Sequence, residues 1–275
     1  MDKILVYHTP DADDAFMFYA LFNGKIDSEY KFEERVDDIE SLNQKAMKED
    51  LDVSAVSAYA YGNILERYYA LGTGGSFGEG YGPVIVSKSK SNPQAIKESS
   101  LAVPGLLTSS YLVYRLASHA KSEIVMKFDE IIDAVLKNKV DMGLLIHEGQ
   151  LTYKKYGLFK ILDTYKWWEN VNNDLPLPLG LNVINKKFGE NECKSIKTAI
   201  QESVRYAINN PNEAINFASK FARGTDQGTL KKFALQYVNE TTYEMGSRGR
   251  DAIAKLLEMA REKNLLTYNG QIKII

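Results

Sequence analysis

The sequence predicts an α/β protein of two domains with a cleft between them. Short apolar segments typical of strands alternate with segments whose apolar residues recur at helical spacing. A polar, proline-containing stretch at residues 87–95 interrupts this alternation, which then starts again. The chain of 275 residues is long enough for one large domain or two ordinary ones with a sizeable core.

The first part of the chain alternates four strands with three helices. The strands are predicted at residues 4–7, 30–36, 53–56 and 83–86. The helices are predicted at residues 15–21, 39–47 and 58–71. Because strands that alternate with helices are typical of βαβ units, we expect mostly parallel sheets.

After the polar stretch the alternation continues and then gives way to helices. Strands are predicted at residues 101–103, 124–127, 142–146 and 179–185. Helices are predicted at residues 109–120, 129–137, 192–209, 212–222, 229–237 and 248–263. This order predicts a larger discontinuous domain of residues 1–90 and 180–275, which encloses a smaller domain of residues 91–179.

Composition and charge exclude several classes of function. Hydrophobic residues make up 44% of the chain, charged residues 25%, and the formal net charge is -2. These values are typical of a globular protein that binds neither nucleic acid nor an anionic membrane. No apolar run reaches the roughly 18 residues of a membrane span, and no signal peptide is visible, so we expect a cytoplasmic protein. The expected partner is a small carboxylated substrate, with a homodimer as an open alternative.

Polar residues follow four of the predicted strands. In open α/β sheets ligands bind beyond the carboxyl ends of the strands. The polar segments at such ends are residues 9–14, 54–57, 104–110 and 147–150. We therefore expect them to meet in one cleft.

His147 directly follows the apolar strand at residues 142–146. An imidazole has an ordinary pKa of about 6.5, so it can accept and return a proton near neutral pH. This position predicts a general base, and the alternative is a histidine that only closes the strand through hydrogen bonds. The other histidines, His8 and His119, lie too far along the chain for metal-ligand spacing, and no metal is expected.

Hydroxyl side chains begin the helix after residue 107. Thr108, Ser109 and Ser110 can bind a carboxylate together with free backbone N–H groups, or they can simply cap the helix. Ser57 lies at an equivalent strand-to-helix junction, and the same two interpretations apply to it. The glycine-rich residues 72–82 follow a helix and precede a strand, which is the reverse of the order in a dinucleotide-binding loop.

An acidic cluster, Asp11, Asp13 and Asp14, follows the first strand. Capping of a helix that begins at Ala15 is the favoured interpretation, since the helix dipole attracts carboxylates at its start. Contact with substrate, through Asp14 and the neighbouring Thr9, and binding of Mg²⁺ are the alternatives.

Several segments resemble the 1,4-dihydroxy-6-naphthoate synthase family of menaquinone biosynthesis. They are T-P-D-A-D-D-A-F-M-F-Y-A at residues 9–20, V-P-G at 103–105, L-I-H-E-G-Q-L-T-Y at 145–153, Y-G at 156–157, W-W at 167–168 and L-P-L-P-L-G at 175–180. The resemblance implies a two-domain, type 2 periplasmic-binding-protein-like fold. It also implies a lyase that, without a cofactor, converts cyclic dehypoxanthinyl futalosine to 1,4-dihydroxy-6-naphthoate and dihydroxyacetone.

The family resemblance also implies roles for individual residues. The proton acceptor falls on His147, and substrate contacts fall near Ser57 and on Thr108 and Ser109. This chain departs from many bacterial members, which have Cys-Pro-Asn-Asp-Thr at residues 11–15 and an arginine in place of Leu106. Chorismate dehydratase of the same pathway and a non-catalytic intracellular solute-binding protein are the alternative functions.

Overall fold

The α/β class predicted from the sequence is confirmed by a computed structural model that describes residues 3–172, 174–221, 227–268 and 270–275. The strands are β1 Lys3–His8, β2 Lys31–Val36, β3 Val53–Ser57, β4 Tyr68–Ala70, β5 Ser76–Gly78, β6 Val84–Ser87, β7 Ser100–Val103, β8 Ser122–Val125, β9 Met142–Leu145, β10 Phe159–Asp163 and β11 Leu177–Asn185.

The α-helices lie between these strands and in the C-terminal part of the chain. They are α1 Ala12–Phe22, α2 Ile39–Lys48, α3 Ala58–Tyr61, α4 Ser109–Ala117, α5 Ile131–Leu136, α6 Gly149–Thr152, α7 Thr164–Asn172, α8 Glu190–Asn209, α9 Pro211–Ala218, α10 Gln227–Tyr237, α11 Glu240–Tyr243 and α12 Gly246–Glu262. Short 3-10 helices lie at Pro93–Glu98, Phe128–Glu130, Tyr153–Tyr156, Lys186–Phe188 and Ser219–Phe221. The predicted end of one helix, Ala222, lies outside the described residues.

The strands form two mixed sheets. The first has the order β2-β1-β3-β11-β4, with β5 also paired to β11, and the second has the order β10-β6-β9-β7-β8. β1 is parallel to β2 and β3, and β7 is parallel to β8 and β9, but β6 and β11 run antiparallel to all their neighbours. The prediction of mostly parallel sheets is therefore wrong. The prediction fails because β6 and β11 follow the two crossings between the sheets and are not parts of βαβ units.

The chain passes from the first sheet to the second before Val84 and returns before Leu177. β6 therefore belongs to the second sheet, although the sequence assigns it to the segment that ends at residue 90. β11 completes the first sheet from the far end of the chain, and it pairs with β3 in the register Gly180↔Ser57.

The helix predicted at residues 58–71 is shorter in the structure. α3 ends at Tyr61, and the chain then turns into β4. Gly62 lies at the turn, where an added Cβ would approach the side chain of Leu266 to 2.8 Å. Ile64, Tyr68 and Leu71 are all buried, so their helical spacing reflects a buried turn and strand.

The buried core explains two further features of the sequence. Trp168, in α7, is fully buried, and its Nε1 donates to the carbonyl of Leu175 at 2.8 Å. On the first sheet, α1 packs against α8, α9 and α10, and its Phe16 and Phe18 are fully buried.

None of the described helices is both long enough and apolar enough to cross a bilayer.

Candidate active site

A cavity lies between the two sheets, at the carboxyl ends of β1, β3, β7 and β9. Its empty space is about 700 Å³, including the part that opens to solvent. All of the residues predicted to contact substrate or to catalyse line it: Thr9, Asp14, Ser57, Thr108, Ser109, Ser110 and His147. The structure thus brings these side chains together, while their roles remain predictions.

His147 follows β9 with a backbone φ of 50°, in the left-handed region that a residue with a Cβ rarely adopts. Such a conformation has a cost of about 1–3 kcal/mol, and it is found most often at functional sites. It turns the imidazole back toward the first sheet, where Nδ1 lies 3.1 Å from Oδ2 of Asp11. The ring of Phe128 packs edge-on against the imidazole, with the centroids 4.9 Å apart.

The other ring nitrogen of His147 has no partner. Nε2 is buried and makes no hydrogen bond to the described protein atoms, although His147 lines the cavity. A buried nitrogen without a partner loses the hydrogen bond it would make in water. A ligand in the cavity can restore that hydrogen bond.

The acidic cluster does not cap the helix in the way predicted. α1 begins at Ala12, and Asp11 at its N-cap position makes no side-chain hydrogen bond to the helix. Asp13 and Asp14 lie inside the first turn of α1. The capping interpretation is therefore wrong for both, because the helix begins before them and leaves Asp11 free to face His147.

Asp14 holds the end of β1 in place. Its Oδ2 accepts hydrogen bonds from the backbone N–H of Thr9 at 2.7 Å and from the Thr9 hydroxyl at 2.8 Å. Since the Thr9 hydroxyl donates its proton to Asp14, the hydroxyl oxygen can only accept a hydrogen bond from a ligand. Both residues lie at the cavity and fix its shape.

Asp13 is buried in the cavity wall, with 8% of its surface exposed, and its Oδ1 has no hydrogen-bond partner. Burial raises the pKa of this carboxyl well above its usual range, and the negative charges of Asp14 and Asp11 raise it further. The raised pKa favours the protonated form of Asp13, in which the carboxyl can donate a hydrogen bond.

Two hydroxyls of the α4 segment are bonded to each other. Thr108 caps the helix, since its Oγ1 accepts from the backbone N–H of Tyr111 at 3.2 Å and donates to the carbonyl of Gly105 at 2.9 Å. Ser110 Oγ lies 2.9 Å from Thr108 Oγ1. Because the proton of Thr108 is committed to Gly105, Ser110 is the donor of this pair and its lone pairs face outward.

Ser109 and Ser57 are anchored by residues of the first sheet. Ser109 donates from its Oγ to the carbonyl of Leu179 at 2.6 Å, which ties the start of α4 to β11. Ser57 accepts from Asn43 Nδ2 at 3.0 Å, while its backbone N–H donates to Asn43 Oδ1 at 2.8 Å. The hydroxyl proton of Ser57 therefore remains available to a ligand.

The sequence did not single out two residues that line the cavity, namely Asn182 and Tyr237, whereas Gln150 ends the polar segment predicted at residues 147–150. The sequence did contain a feature that could have identified Asn182, because it is a polar residue within the apolar strand β11. No feature of the sequence pointed to Tyr237, since an aromatic residue at the end of a helix usually belongs to the core. The described residues that line the cavity include no lysine or arginine, and Leu106 is 46% exposed where many bacterial members carry an arginine.

His8 and the acidic cluster offer no metal site. His8 is fully buried between its contacts with Glu34, at 3.0 Å, and the rings of Phe18, Phe22 and Phe221. Burial lowers its pKa, but the hydrogen bond to Glu34 and nearby negative charge raise it, and the net shift is upward. Within the described ranges, no group of three or more His, Cys, Asp or Glu side chains could hold a metal ion.

Comparison with known proteins decides the family. A model described as "Menaquinone biosynthesis" matches residues 4–262. The chain belongs to the menaquinone biosynthesis family. A protein of this family named 1,4-dihydroxy-6-naphthoate synthase, from Thermus thermophilus, is 32% identical over 265 residues, which are 96% of each chain. A second protein of that name, from Streptomyces coelicolor, is 31% identical over 98% of this chain and 96% of its own. The resemblance stated from the sequence is confirmed.

Solved structures confirm the fold of this menaquinone biosynthesis protein. A crystal structure of a protein from Archaeoglobus fulgidus has a TM-score of 0.91 and 46% identity, and it covers 96% of this chain and 98% of its own. The periplasmic aliphatic sulphonate binding protein of Escherichia coli has a TM-score of 0.65 at 10% identity, over 97% of this chain and 94% of its own. The likeness at low identity shows the fold alone, which is the predicted two-domain fold of periplasmic binding proteins.

Proposed function

We propose that this protein is a 1,4-dihydroxy-6-naphthoate synthase, a carbon–carbon lyase that converts cyclic dehypoxanthinyl futalosine to 1,4-dihydroxy-6-naphthoate and dihydroxyacetone. The observation that carries the proposal is the position of His147, whose Nε2 is buried without a partner while Nδ1 faces Asp11 at 3.1 Å. An imidazole that faces a carboxylate at one nitrogen and has no partner at the other suits proton transfer to and from a ligand. The names of the two relatives support the same reaction.

In the proposed reaction His147 accepts one proton from the substrate, a carbon–carbon bond breaks, and His147 returns the proton to one of the two products. Nε2 takes the proton from the part of the substrate that carries the sugar-derived carbons, and the electron pair left behind breaks the carbon–carbon bond. The imidazolium returns the proton to the three-carbon fragment, which leaves as dihydroxyacetone, while the other product gains an aromatic ring. Because protons and electrons balance without an oxidant or reductant, the proposal includes no cofactor.

Asp11 supports this step from the opposite side of the cleft. Its carboxylate oxygen lies 3.1 Å from Nδ1 of His147, although the two atoms are not aligned for a hydrogen bond. A small rotation that aligned them would favour the Nδ1–H tautomer and leave Nε2 as the base. The same carboxylate stabilises the imidazolium once the proton has been taken. The two residues follow β1 and β9, which belong to different sheets, so the pair exists only while the halves of the molecule are in contact.

The start of α4 is the proposed site for the substrate carboxylate. Ser110 and the first backbone N–H groups of α4 lie at the cavity together with Thr108 and Ser57. N–H groups at a helix start and the free hydroxyl proton of Ser57 are donors suited to a carboxylate. Ser110 can add a third donor when its hydroxyl proton turns from Thr108 to the ligand. Since no lysine or arginine lines the described cavity, neutral donors have to hold the anion.

The assay that tests the function uses two substrates and identifies the products by mass spectrometry. Purified protein is incubated separately with cyclic dehypoxanthinyl futalosine and with chorismate. We expect 1,4-dihydroxy-6-naphthoate and dihydroxyacetone from the first and no change in the second. The His147→Ala variant should lose turnover by a factor of at least about 10²–10⁴, the contribution of a general base, and should keep its fold and its ligand affinity.

The matched control is His119→Ala, because His119 is exposed on the surface away from the cavity. It should leave turnover unchanged. Dehydration of chorismate by the wild type would show the sister activity instead, and binding without conversion would show a solute-binding protein. Full turnover by His147→Ala would remove His147 from its role.

A further inference from the structure

Two side-chain amides in the cavity wall have oxygen atoms without partners. Asn182 Oδ1 and Gln150 Oε1 are both buried and make no hydrogen bond to the described protein atoms. Asn182 is 1% exposed and Gln150 is 8% exposed, and both line the cavity. Unpaired buried acceptors are uncommon in folded proteins because each loses a hydrogen bond that water would provide. Their presence at a cavity indicates that a ligand supplies the donors.

The orientation of Asn182 is fixed by its neighbours. Its Nδ2 donates to the carbonyl of Gly74 at 2.9 Å, and a carbonyl can only accept, so the other amide atom is the oxygen. Gly74 has a φ of 73°, and a Cβ at this position would lie 2.3 Å from Asn182 Nδ2. Glycine therefore permits the close approach that holds the amide with its oxygen free.

Gln150 reaches the cavity from the second sheet. It lies in α6, after His147, and its Nε2 bonds to the hydroxyl of Tyr237 in α10. In this orientation Oε1 has no partner. Because the Tyr237 hydroxyl can donate as well as accept, the reversed amide would present its N–H₂ group there, which a ligand hydroxyl can also pair. Asn182 on β11 and Gln150 on α6 thus present acceptors from opposite sides of the cleft.

Asp13 adds a third unpaired oxygen to this wall, as its Oδ1 is buried without a partner. The side chain lies near Asp11 and Asp14, and none of the described lysines or arginines pairs with it, so burial and the neighbouring negative charges raise its pKa and favour the protonated form. A protonated carboxyl can both donate and accept, which complements the two amide oxygens.

These three side chains suit one kind of chemical group. A carboxylate or phosphate offers no donor to the amide oxygens, and an apolar ring leaves all three unpaired. A hydroxyl group donates to an amide oxygen and accepts from a carboxylic acid. We propose that Asp13, Gln150 and Asn182 form a subsite that binds the hydroxyl groups of a polyol portion of the substrate.

The subsite deepens the proposed function and rests on it for the identity of the whole substrate. It sets the orientation of that substrate, with the carboxylate at the start of α4 and the hydroxylated carbons at Asn182 and Gln150. The unpartnered Nε2 of His147 then faces the hydroxylated part, where the proposed bond cleavage takes place.

The test compares two small probes that each represent one end of the substrate. D-Ribose carries hydroxyls and no carboxylate, and 2-naphthoate carries a carboxylate and no hydroxyl. Dissociation constants are measured by ligand-observed NMR titration for the wild type, Asn182→Ala and Gln150→Met. Loss of one hydrogen bond should raise the dissociation constant of D-ribose by about tenfold. The dissociation constant of 2-naphthoate should change by less than about twofold.

The matched control is Asn172→Ala. Asn172 is also a buried amide with an unpaired Oδ1, but it lies in α7 and does not line the cavity. This variant should leave both dissociation constants unchanged, and thermal denaturation checks that each variant is folded. Gln150→Met keeps the test valid if Asn182→Ala fails to fold.

Three results would overturn the subsite. They are a wild type that does not bind D-ribose, variants that bind it as the wild type does, and an equal loss of affinity for both probes. Turnover of cyclic dehypoxanthinyl futalosine is assayed separately on the wild type. Ribose binding that depends on Asn182 without turnover would retain the subsite and reject the proposed lyase, and the reverse result would reject the subsite alone.

Discussion

Asp11 stands where a helix normally receives a capping side chain, yet its carboxylate faces His147 on the other sheet. An aspartate at this position usually accepts from the first free N–H groups of the helix, with a gain of about 0.5–2 kcal/mol. The protein gives up that gain at Asp11. We infer that the role of an aspartate at position 11 is to face His147 and not to cap α1.

Replacement of Asp11 by asparagine tests this pairing. Asp11→Asn keeps the shape of the side chain but removes the charge that stabilises the imidazolium, so kcat should fall by about tenfold or more while KM stays unchanged. Steady-state kinetics with cyclic dehypoxanthinyl futalosine measure both constants. Asp129→Asn, an exposed aspartate beside Phe128, is the control, and an unchanged kcat in Asp11→Asn would contradict the role.

Asp13 predicts a pH dependence of stability. Because its pKa is raised in the folded protein, the protonated form stabilises the fold at low pH, and this stability is lost as the pH rises from the unfolded pKa of 3.8 through the folded pKa. Asp13→Asn mimics the neutral form, so it should be more stable than the wild type at neutral pH. Urea denaturation from acid to neutral pH should show this difference shrink toward low pH, and a variant that is less stable at every pH would contradict it.

Sequence and structure agree unevenly at the scale of single residues. His147 could be found because it directly follows an apolar strand, a local signal. Its contact with Asp11 could not, since it depends on how two sheets face one another. The orientation of Asn182 also escaped the sequence, because it follows from a hydrogen bond to Gly74 on a distant turn.

At the scale of elements, α4 shows how one helix start can serve both stability and binding. Thr108 is committed to the helix through Tyr111 and Gly105, whereas Ser110 is bonded only to Thr108. The sequence offered capping and anion binding as alternatives for the whole segment. Capping is confirmed for Thr108, and binding stays a prediction for Ser110.

Two variants of α4 should separate these roles. Thr108→Ala removes the cap and should lower the free energy of unfolding by about 1 kcal/mol. Ser110→Ala leaves the cap in place and should have little effect on stability. It should raise KM several-fold, because the Ser110 proton, turned from Thr108 to the carboxylate in the complex, supplies about one hydrogen bond that the variant lacks. Urea denaturation and steady-state kinetics on both variants provide the measurements, and a reversal of the two effects would contradict the division.

Elements with a simple period were predicted better than those without one. α8 and α12 carry long amphipathic patterns, and the structure places them within two residues of the predicted ends. β4 was mistaken for helix, because Ile64, Tyr68 and Leu71 are buried at helical spacing by the turn that contains Gly62. Period alone does not distinguish a buried turn and strand from a buried helix.

At the scale of the whole molecule, several contacts join the two halves across the cleft. Besides the pair of His147 and Asp11, the side chain of Glu40 in α2 accepts from the backbone N–H of Leu107 at 3.1 Å. Gly105 makes room for this contact, as a Cβ there would lie 2.3 Å from Glu40 Oε2. These contacts hold the two halves together beside the cavity.

Gly105→Ala should weaken the contact between Glu40 and Leu107. The added methyl group displaces the Glu40 carboxylate from Leu107, so we expect KM to rise by about tenfold, the loss of one hydrogen bond to a charged group. Glu40→Ala should give the same rise, and the double variant should add little, because both changes remove one contact. Additive effects in the double variant would show that Gly105 acts in another way.

The absence of lysine and arginine from the described cavity wall has a consequence for how a ligand arrives. N–H and O–H donors act only at contact, whereas a charge is felt over about 10 Å at 0.1 M ionic strength. With a formal net charge of -2 and no lysine or arginine in the described cavity wall, the protein exerts no long-range attraction on an anion. Salt should therefore change kcat/KM by no more than about twofold, so the capture of substrate is set by diffusion and fit and is insensitive to the ions of its surroundings.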